Sequence, residues 1–382
     1  MTTTNANALT ARWASTVDDG GTVLSGAGVY VLLALLGPNA CGPARDELLA
    51  VAPEPLEIPD SPTARMATAV WSRAEAPLTE AFTAAVPPDR RRPLTGDPDV
   101  DQPALDAWAS EQTRGAVPAM PIRAERDTLM VLASALSVRT AWAEPFDDGV
   151  QRPETGPWAG RDLAGLHRRT RGAAGLDALR VADTAAGPVT LLTVAGAQDV
   201  DVVLALGEPG QAAGAVLPAA ITALAGPAES AGTAGALDPD RAAPGVTVRE
   251  VEAADDTPEL VVSTVRFTVR GAHDLLKEPE LFGLRAATDD RTGHFPGISP
   301  VPMSVSQARQ DAVAEFTGAG FEASAVTAFA MRLAGAFFPD RTHRRRVVTV
   351  AFDRPFGFAA VHRATGLVLV AGWVAEPEPF QG

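Results

Sequence analysis

The chain has one cysteine, Cys41, one lysine, Lys277, and one tyrosine, Tyr30. A single thiol excludes an intrachain disulfide, so non-covalent packing must hold the fold. Arginine carries almost all the positive charge. With the abundant Ala, Gly and Pro, that bias reads as the codon usage of a GC-rich genome and says nothing about function. Apolar runs are short, and the longest, residues 29–36, suits a buried helix rather than a membrane span. The N-terminus lacks a charged region followed by an apolar stretch, so no secretory signal is read there. As written, the chain is expected in the cytoplasm, with an extracellular place open if a signal was removed.

Chemistry-bearing patterns are also scarce. The five histidines, His167, His273, His294, His343 and His362, show no metal spacing with one another or with Cys41. No Gly-x-Ser-x-Gly elbow occurs. Gly26-Ala-Gly28-Val-Tyr-Val31 imitates a dinucleotide fingerprint but has Val31 at the third glycine position, and no regular βαβ pattern follows. No catalytic residue, metal or cofactor is expected. A net charge of −15 argues against nucleic acid and suits a self-repelling, soluble monomer with no membrane partner. With 46% apolar residues the chain can build a large core.

The pattern predicts helices over residues 5–14, from Gly28 to Leu36, and over 44–51, 80–85 and 105–112. It predicts strands over 22–24 and 67–73. The almost wholly apolar run 127–138 reads as a central strand buried on both faces. Further strands are predicted over 189–194, 200–206, 260–269, 305–316, 347–352, 356–362 and 367–374, the last two joined by a hairpin turn at Thr365-Gly366. Residues 223–245 are low in complexity and read as a surface loop. Helices come early and strands late, which suggests α+β with no linker dividing the chain.

Residues 318–346 have a pattern of their own. After Gly318-Ala-Gly320, small and apolar residues alternate. Phe321, Ala323, Ala325, Thr327, Phe329 and Met331 fall on one face, and Glu322, Ser324, Val326, Ala328, Ala330 and Arg332 on the other. An ordinary strand followed by a charged loop fits this. So does a latent strand, a loop that enters a sheet once cut, which needs small inward residues and glycine at its base. The basic run 341–346 reads as a solvated charge patch.

Six stretches in order resemble the serpin family. Gly320-Phe321-Glu322-Ala323-Ser324-Ala325-Val326-Thr327 is similar to its hinge, Gly-Thr-Glu-Ala-Ala-Ala-Ala-Thr. Phe295-Pro-Gly-Ile-Ser299 and Phe352-Asp-Arg-Pro-Phe-Gly-Phe358 resemble Phe-Ser-Gly-Ile-Ser and Phe-Asn-Arg-Pro-Phe-x-Phe. Gly372-Trp-Val-Ala-Glu-Pro377 is similar to the closing hairpin. Trp108 with Thr113 and Gly115, and Leu132-Ala-Ser134-Ala-Leu through Trp142 and Phe146, match two earlier motifs.

The resemblance implies an α+β serpin-like fold of bacterial type, with three β-sheets, about nine helices and an exposed reactive loop near the C-terminus. The implied organisation is one domain, residues 1–382, with the loop at about 318–346. It implies no enzyme but a suicide inhibitor of a serine, or else cysteine, endopeptidase, trapped when the cut loop inserts into the main sheet. A non-inhibitory binding or structural role is the alternative. Counting from the hinge puts the attacked bond between Ala334 and Gly335, with Leu333 and Arg332 as further candidates. A small residue there suits an elastase- or subtilisin-like partner. Ser25, Gly28, Ser134, Gln310 and Trp142 correspond to the cluster guarding the sheet opening. Ser25 matches the family, while Gly28, Ser134 and Gln310 replace its Ser, Asn and His. Phe321 stands where the family has Thr or Ser, so crowding is expected there, costing about 1–3 kcal/mol. An arginine at 321 is expected to spare folding and block insertion.

Overall fold

The apolar runs late in the sequence stack side by side into the central sheet. A computed structural model describes residues 2–58, 61–225, 231–237, 243–321 and 343–381. The central sheet has seven strands in the order β1 (Thr22–Leu24), β19 (Leu367–Val374), β18 (Phe356–His362), β10 (Val200–Leu206), β9 (Gly187–Val194), β8 (Leu179–Thr184) and β11 (Ala231–Thr233). Every residue of β19 is buried. Gly366, at φ +68°, makes the tight β18–β19 turn, a left-handed conformation that glycine adopts without a Cβ clash.

A five-stranded sheet runs β12 (Val246–Ala253), β17 (His343–Ala351), β13 (Glu259–Val265), β7 (Leu163–Arg171), β6 (Asp147–Gln151). The two remaining sheets belong to one layer. One is β14 (Phe267–Asp274), β15 (Arg309–Phe316), β16 (Gly320–Phe321) and β5 (Thr140–Ala141); the other is β3 (Arg91–Leu94), β2 (Ala64–Arg73) and β4 (Met130–Val138). Only Arg139 separates β4 from β5, so the four hydrogen-bonded sheets among the described residues form three layers.

Among the described residues seven α-helices surround them: α1 (Thr2–Ala14), α2 (Gly26–Leu36), α3 (Gly42–Val51), α4 (Glu80–Ala85), α5 (Pro98–Gln112), α6 (Ala173–Asp177) and α7 (Ala213–Ala225). About nine were expected; Pro53 and Pro55 disfavour a helix in the stretch after α3. Start signals work locally. The Ser25 hydroxyl accepts from the Gly28 N–H at 3.1 Å and starts α2, and the Thr79 hydroxyl accepts from the Phe82 N–H at 3.2 Å and starts α4. Asp97 caps α5 ahead of Pro98, whose missing N–H costs nothing in the first turn.

Three readings need correction. The apolar stretch 260–269 is two strands in different sheets, broken at Arg266, whose N–H bonds the Ala164 carbonyl at 2.8 Å. The stretch 223–245 is not wholly loop, since α7 runs into it and β11 lies within it. The basic run is a solvated patch only in part, because residues 343–346 belong to β17, where His343 and Arg344 are exposed but Arg345 is 8% exposed. Its guanidinium lies 2.8 Å from Asp255 and 3.9 Å from Glu259, which pays for its desolvation.

Candidate functional site

Among the described residues, strand β4 has a partner on one edge only. Val131, Ala133 and Ala135 are buried beneath α5 with Trp108, while Leu132, Leu136 and Val138 turn toward the main core and stay half-buried. The expected central strand, buried on both faces, is therefore covered on both faces but, among the described residues, open along one edge. Across from it, β15 pairs with β14 over eight residues but with β16 only through Phe316 and Phe321. Between these two edges lies a cleft of about 280 Å3, floored by α2 and lined by both strands, Ala116, Val117 and residues 120–123.

The cleft is closed at one end by β16. The turn from β15 is held by Thr317, whose N–H donates to the Gly320 carbonyl at 2.9 Å and whose hydroxyl accepts from the Gly320 N–H at 3.2 Å. Gly320 pairs with Ala141 so closely that a Cβ would collide with the Thr140 carbonyl oxygen. Phe321 pairs with Thr140 and is 3% exposed, its ring centroid 6.0 Å from that of Phe358. The Phe321 ring, expected to be crowded, is seated in the core beside Phe358.

Four of the five cluster residues meet at the start of α2. The Gln310 side chain accepts from the Ser25 N–H at 2.7 Å and donates to the Ser25 carbonyl at 2.9 Å. The Ser25 hydroxyl donates to the Leu369 carbonyl at 2.7 Å, and Ser134 donates to the Gly28 carbonyl at 2.8 Å. A Cβ on Gly28 would lie 3.2 Å from the Ser25 hydroxyl and 3.5 Å from the Gln310 amide nitrogen, so glycine leaves that space to the glutamine. Ser134 sits on one edge of the cleft and Gln310 on the other. Both edges are thus tied to one helix start rather than to each other. Trp142 is not in this group. It is buried beside Phe146 and Phe316 at the β5–β16 end, where its indole donates to the Thr317 carbonyl at 2.9 Å.

The remaining site residues, Glu322, Ala323, Ser324, Ala325, Val326, Thr327, Arg332, Leu333, Ala334 and Gly335, lie outside the described residues. Sequence reasoning missed Gln307 and Arg123. The Arg123 N–H donates to the Gln307 side-chain oxygen at 3.0 Å, and the Gln307 amide donates back to the Arg123 carbonyl at 2.9 Å. Nothing in the local sequence of either residue signals this contact. On β15, burial raises the Asp311 carboxyl above its ordinary range, against the pull of His273 and Arg309. Among the described residues no group of His, Cys, Asp or Glu could hold a metal, and no helix is long and apolar enough to cross a membrane.

A three-layer molecule with one layer split between β4 and β15 and the short strand β16 at the mouth of the split has the serpin fold. Human thyroxine-binding globulin complexed with its hormone is similar over 99% of this chain and 98% of its own, at 16% identity and a TM-score of 0.72. A serpin from the trematode Schistosoma haematobium is similar over 99% and 100% at 13% identity, TM-score 0.69, and native protease nexin-1 with heparin over 98% of each chain at 15%, TM-score 0.70. Residues 249–377 match the family model for serpins, described as serine protease inhibitors. No curated protein matches the chain in sequence. The serpin resemblance read from the motifs therefore stands in both the fold and the C-terminal third of the sequence.

Proposed function

We propose that the chain is a serpin-type suicide inhibitor of a serine endopeptidase, and that the segment after Phe321, once cut, fills the cleft as a new strand. The observation that carries this reading is the register of β16. Phe321 pairs antiparallel with Phe316 on one side and with Thr140 on the other. Continued two residues at a time, that register sets Ala323 between Ala314 and Val138, and Ala325 between Ala312 and Leu136. Thr327 then falls between Gln310 and Ser134. Small side chains meet the apolar part of the cleft and a hydroxyl meets its polar cluster, which is the match a buried strand requires. The two facing strand edges would gain a partner along their length, and the strain of an unfilled sheet supplies the drive.

On this reading the loop spans about residues 318–346 of a single domain, 1–382, although its ends at Gly320–Phe321 and 343–346 lie in strands. The attacked bond is Ala334–Gly335, with Leu333 and Arg332 next, and an elastase- or subtilisin-like protease is the favoured partner. The protease supplies the catalytic serine; the inhibitor supplies the bait and the filling step.

The test is a panel of serine proteases incubated with the chain. The expected outcome is a complex that survives SDS with at least one elastase- or subtilisin-like enzyme, and a sharply raised melting temperature after cleavage within 332–335. Clean cleavage by every enzyme with an unchanged melting temperature would instead support a fixed loop and a binding or structural role.

A further inference from the structure

One edge of the cleft carries a charge with no counterpart. Asp311 lies on β15, exposed and lining the cleft. Among the described residues its carboxylate has no hydrogen bond and no ion pair. The charged groups around it are directed elsewhere. Arg309, two residues along the strand, lies 3.9 Å from Asp274. The neighbouring His273 pairs with Gln310 and so occupies the opposite face, where its ring bonds the Val23 carbonyl at 2.9 Å. On the face of Asp311 itself, Arg270 stands opposite Val313 and Glu315 opposite Thr268. Across the cleft, the same face of β4 presents Ala133, Ala135 and Ser137, none of which titrates.

Filling changes the surroundings of this carboxylate. The continued register sets Val326 between Asp311 and Ala135, with Ala272 already on the other side. The cleft-facing flank of an unpaired carboxylate is then withdrawn from water and set between apolar side chains. The charged form opposes that step, and the protonated form opposes it much less. In the open cleft the tendency is already present, since burial raises the Asp311 carboxyl against the pull of His273 and Arg309.

We infer that filling of the cleft is coupled to proton uptake at Asp311, so that mild acid speeds it. This inference rests on the insertion reading above. The filled state binds a proton at this carboxyl more readily than the open state does, so filling gains as pH falls and loses as pH rises. On the proposed mechanism, the chain would then trap a protease more efficiently in an acidified medium than in a neutral one.

The experiment compares the full chain with Asp311→Asn, which keeps the size of the side chain and removes its charge. Each is cut with excess subtilisin at pH 7.5, 6.0 and 5.0, gels confirm complete cutting, and the rise in melting temperature is followed with time. These pH values lie above the range in which a paired carboxylate such as Asp255 takes up its proton. The wild type should fill about tenfold faster at pH 5.0 than at pH 7.5, and Asp311→Asn should fill at the faster rate throughout. Asp311→Glu should keep the pH dependence, which separates charge from packing and serves if the asparagine variant folds poorly. In weakly buffered solution at pH 6.0, an indicator dye should report more proton uptake on filling by the wild type than by Asp311→Asn. An equal pH dependence in the wild type and Asp311→Asn assigns the proton to another group, such as His273, and overturns the inference. A rate independent of pH beside a normal rise does the same, and both results leave the proposed function intact. No rise in any of the proteins at any pH overturns both.

Discussion

Phe321 is the residue at which the structure most altered the sequence reading. Taken from the motif, its ring is an oversized occupant of a position that has a small hydroxyl in the family. In the fold it is already seated, buried against Phe358 and paired on both sides. Truncation to alanine therefore removes a filled contact rather than a strain. Phe321→Ala should lower stability by about 3–5 kcal/mol in a denaturant titration of the uncut chain, unlike the relief a crowded ring predicts. Phe321→Arg should also impair folding, because its charge would be buried before any insertion. At Ser25 two roles coincide, a helix cap and a link to Leu369. Ser25→Ala should cost about 1–2 kcal/mol by the same titration, while Gln310 keeps its bonds to the Ser25 backbone.

Among elements, β17 and β4 show how context overrides pattern. A run of His and Arg has the composition of a solvated loop. Yet β17 lies between β12 and β13, and the partner for its buried charge, Asp255, comes from the turn joining those two strands. The hydrogen bond from Arg345 holds the Asp255 carboxyl below its ordinary range. A lowered folded-state pKa adds stability that is present above the unfolded value and is lost as pH falls through the folded one. Melting temperature should therefore drop below about pH 4, and Asp255→Asn should flatten that part of the profile. For β4, composition suggested a strand enclosed on every side. What composition cannot report is that β15, its natural neighbour across the layer, stands off by the width of a cleft.

For the whole molecule, the split main sheet is the central fact. Among the described residues two strand edges face each other without a partner along most of their length, and such an arrangement has a lower-energy alternative if a strand can reach them. On the proposed mechanism the uncut protein persists because that route is blocked, so its stability is kinetic. The route also fixes which substitutions matter. Ala325→Arg should leave the uncut chain's melting temperature unchanged and abolish the rise that follows cleavage. Its charge would have to enter between Ala312 and Leu136 with no partner. Protease added to this variant should yield cut inhibitor and free enzyme rather than a stable complex.

Much of this was legible in the sequence. The strands at 22–24, 200–206, 356–362 and 367–374 and the helix at 80–85 match in full, because apolar runs and capping residues act locally. Motif order pointed to the serpin fold, and Ser25, Gly28, Ser134 and Gln310, four of the five residues matched to one cluster, meet at the start of α2. Tertiary structure alone decided the rest. The cleft, the seat of Phe321, the partners of Arg345 and the Gln307–Arg123 contact each join residues far apart in the chain. Their existence depends on how layers dock, and no periodicity within a single segment encodes that distance.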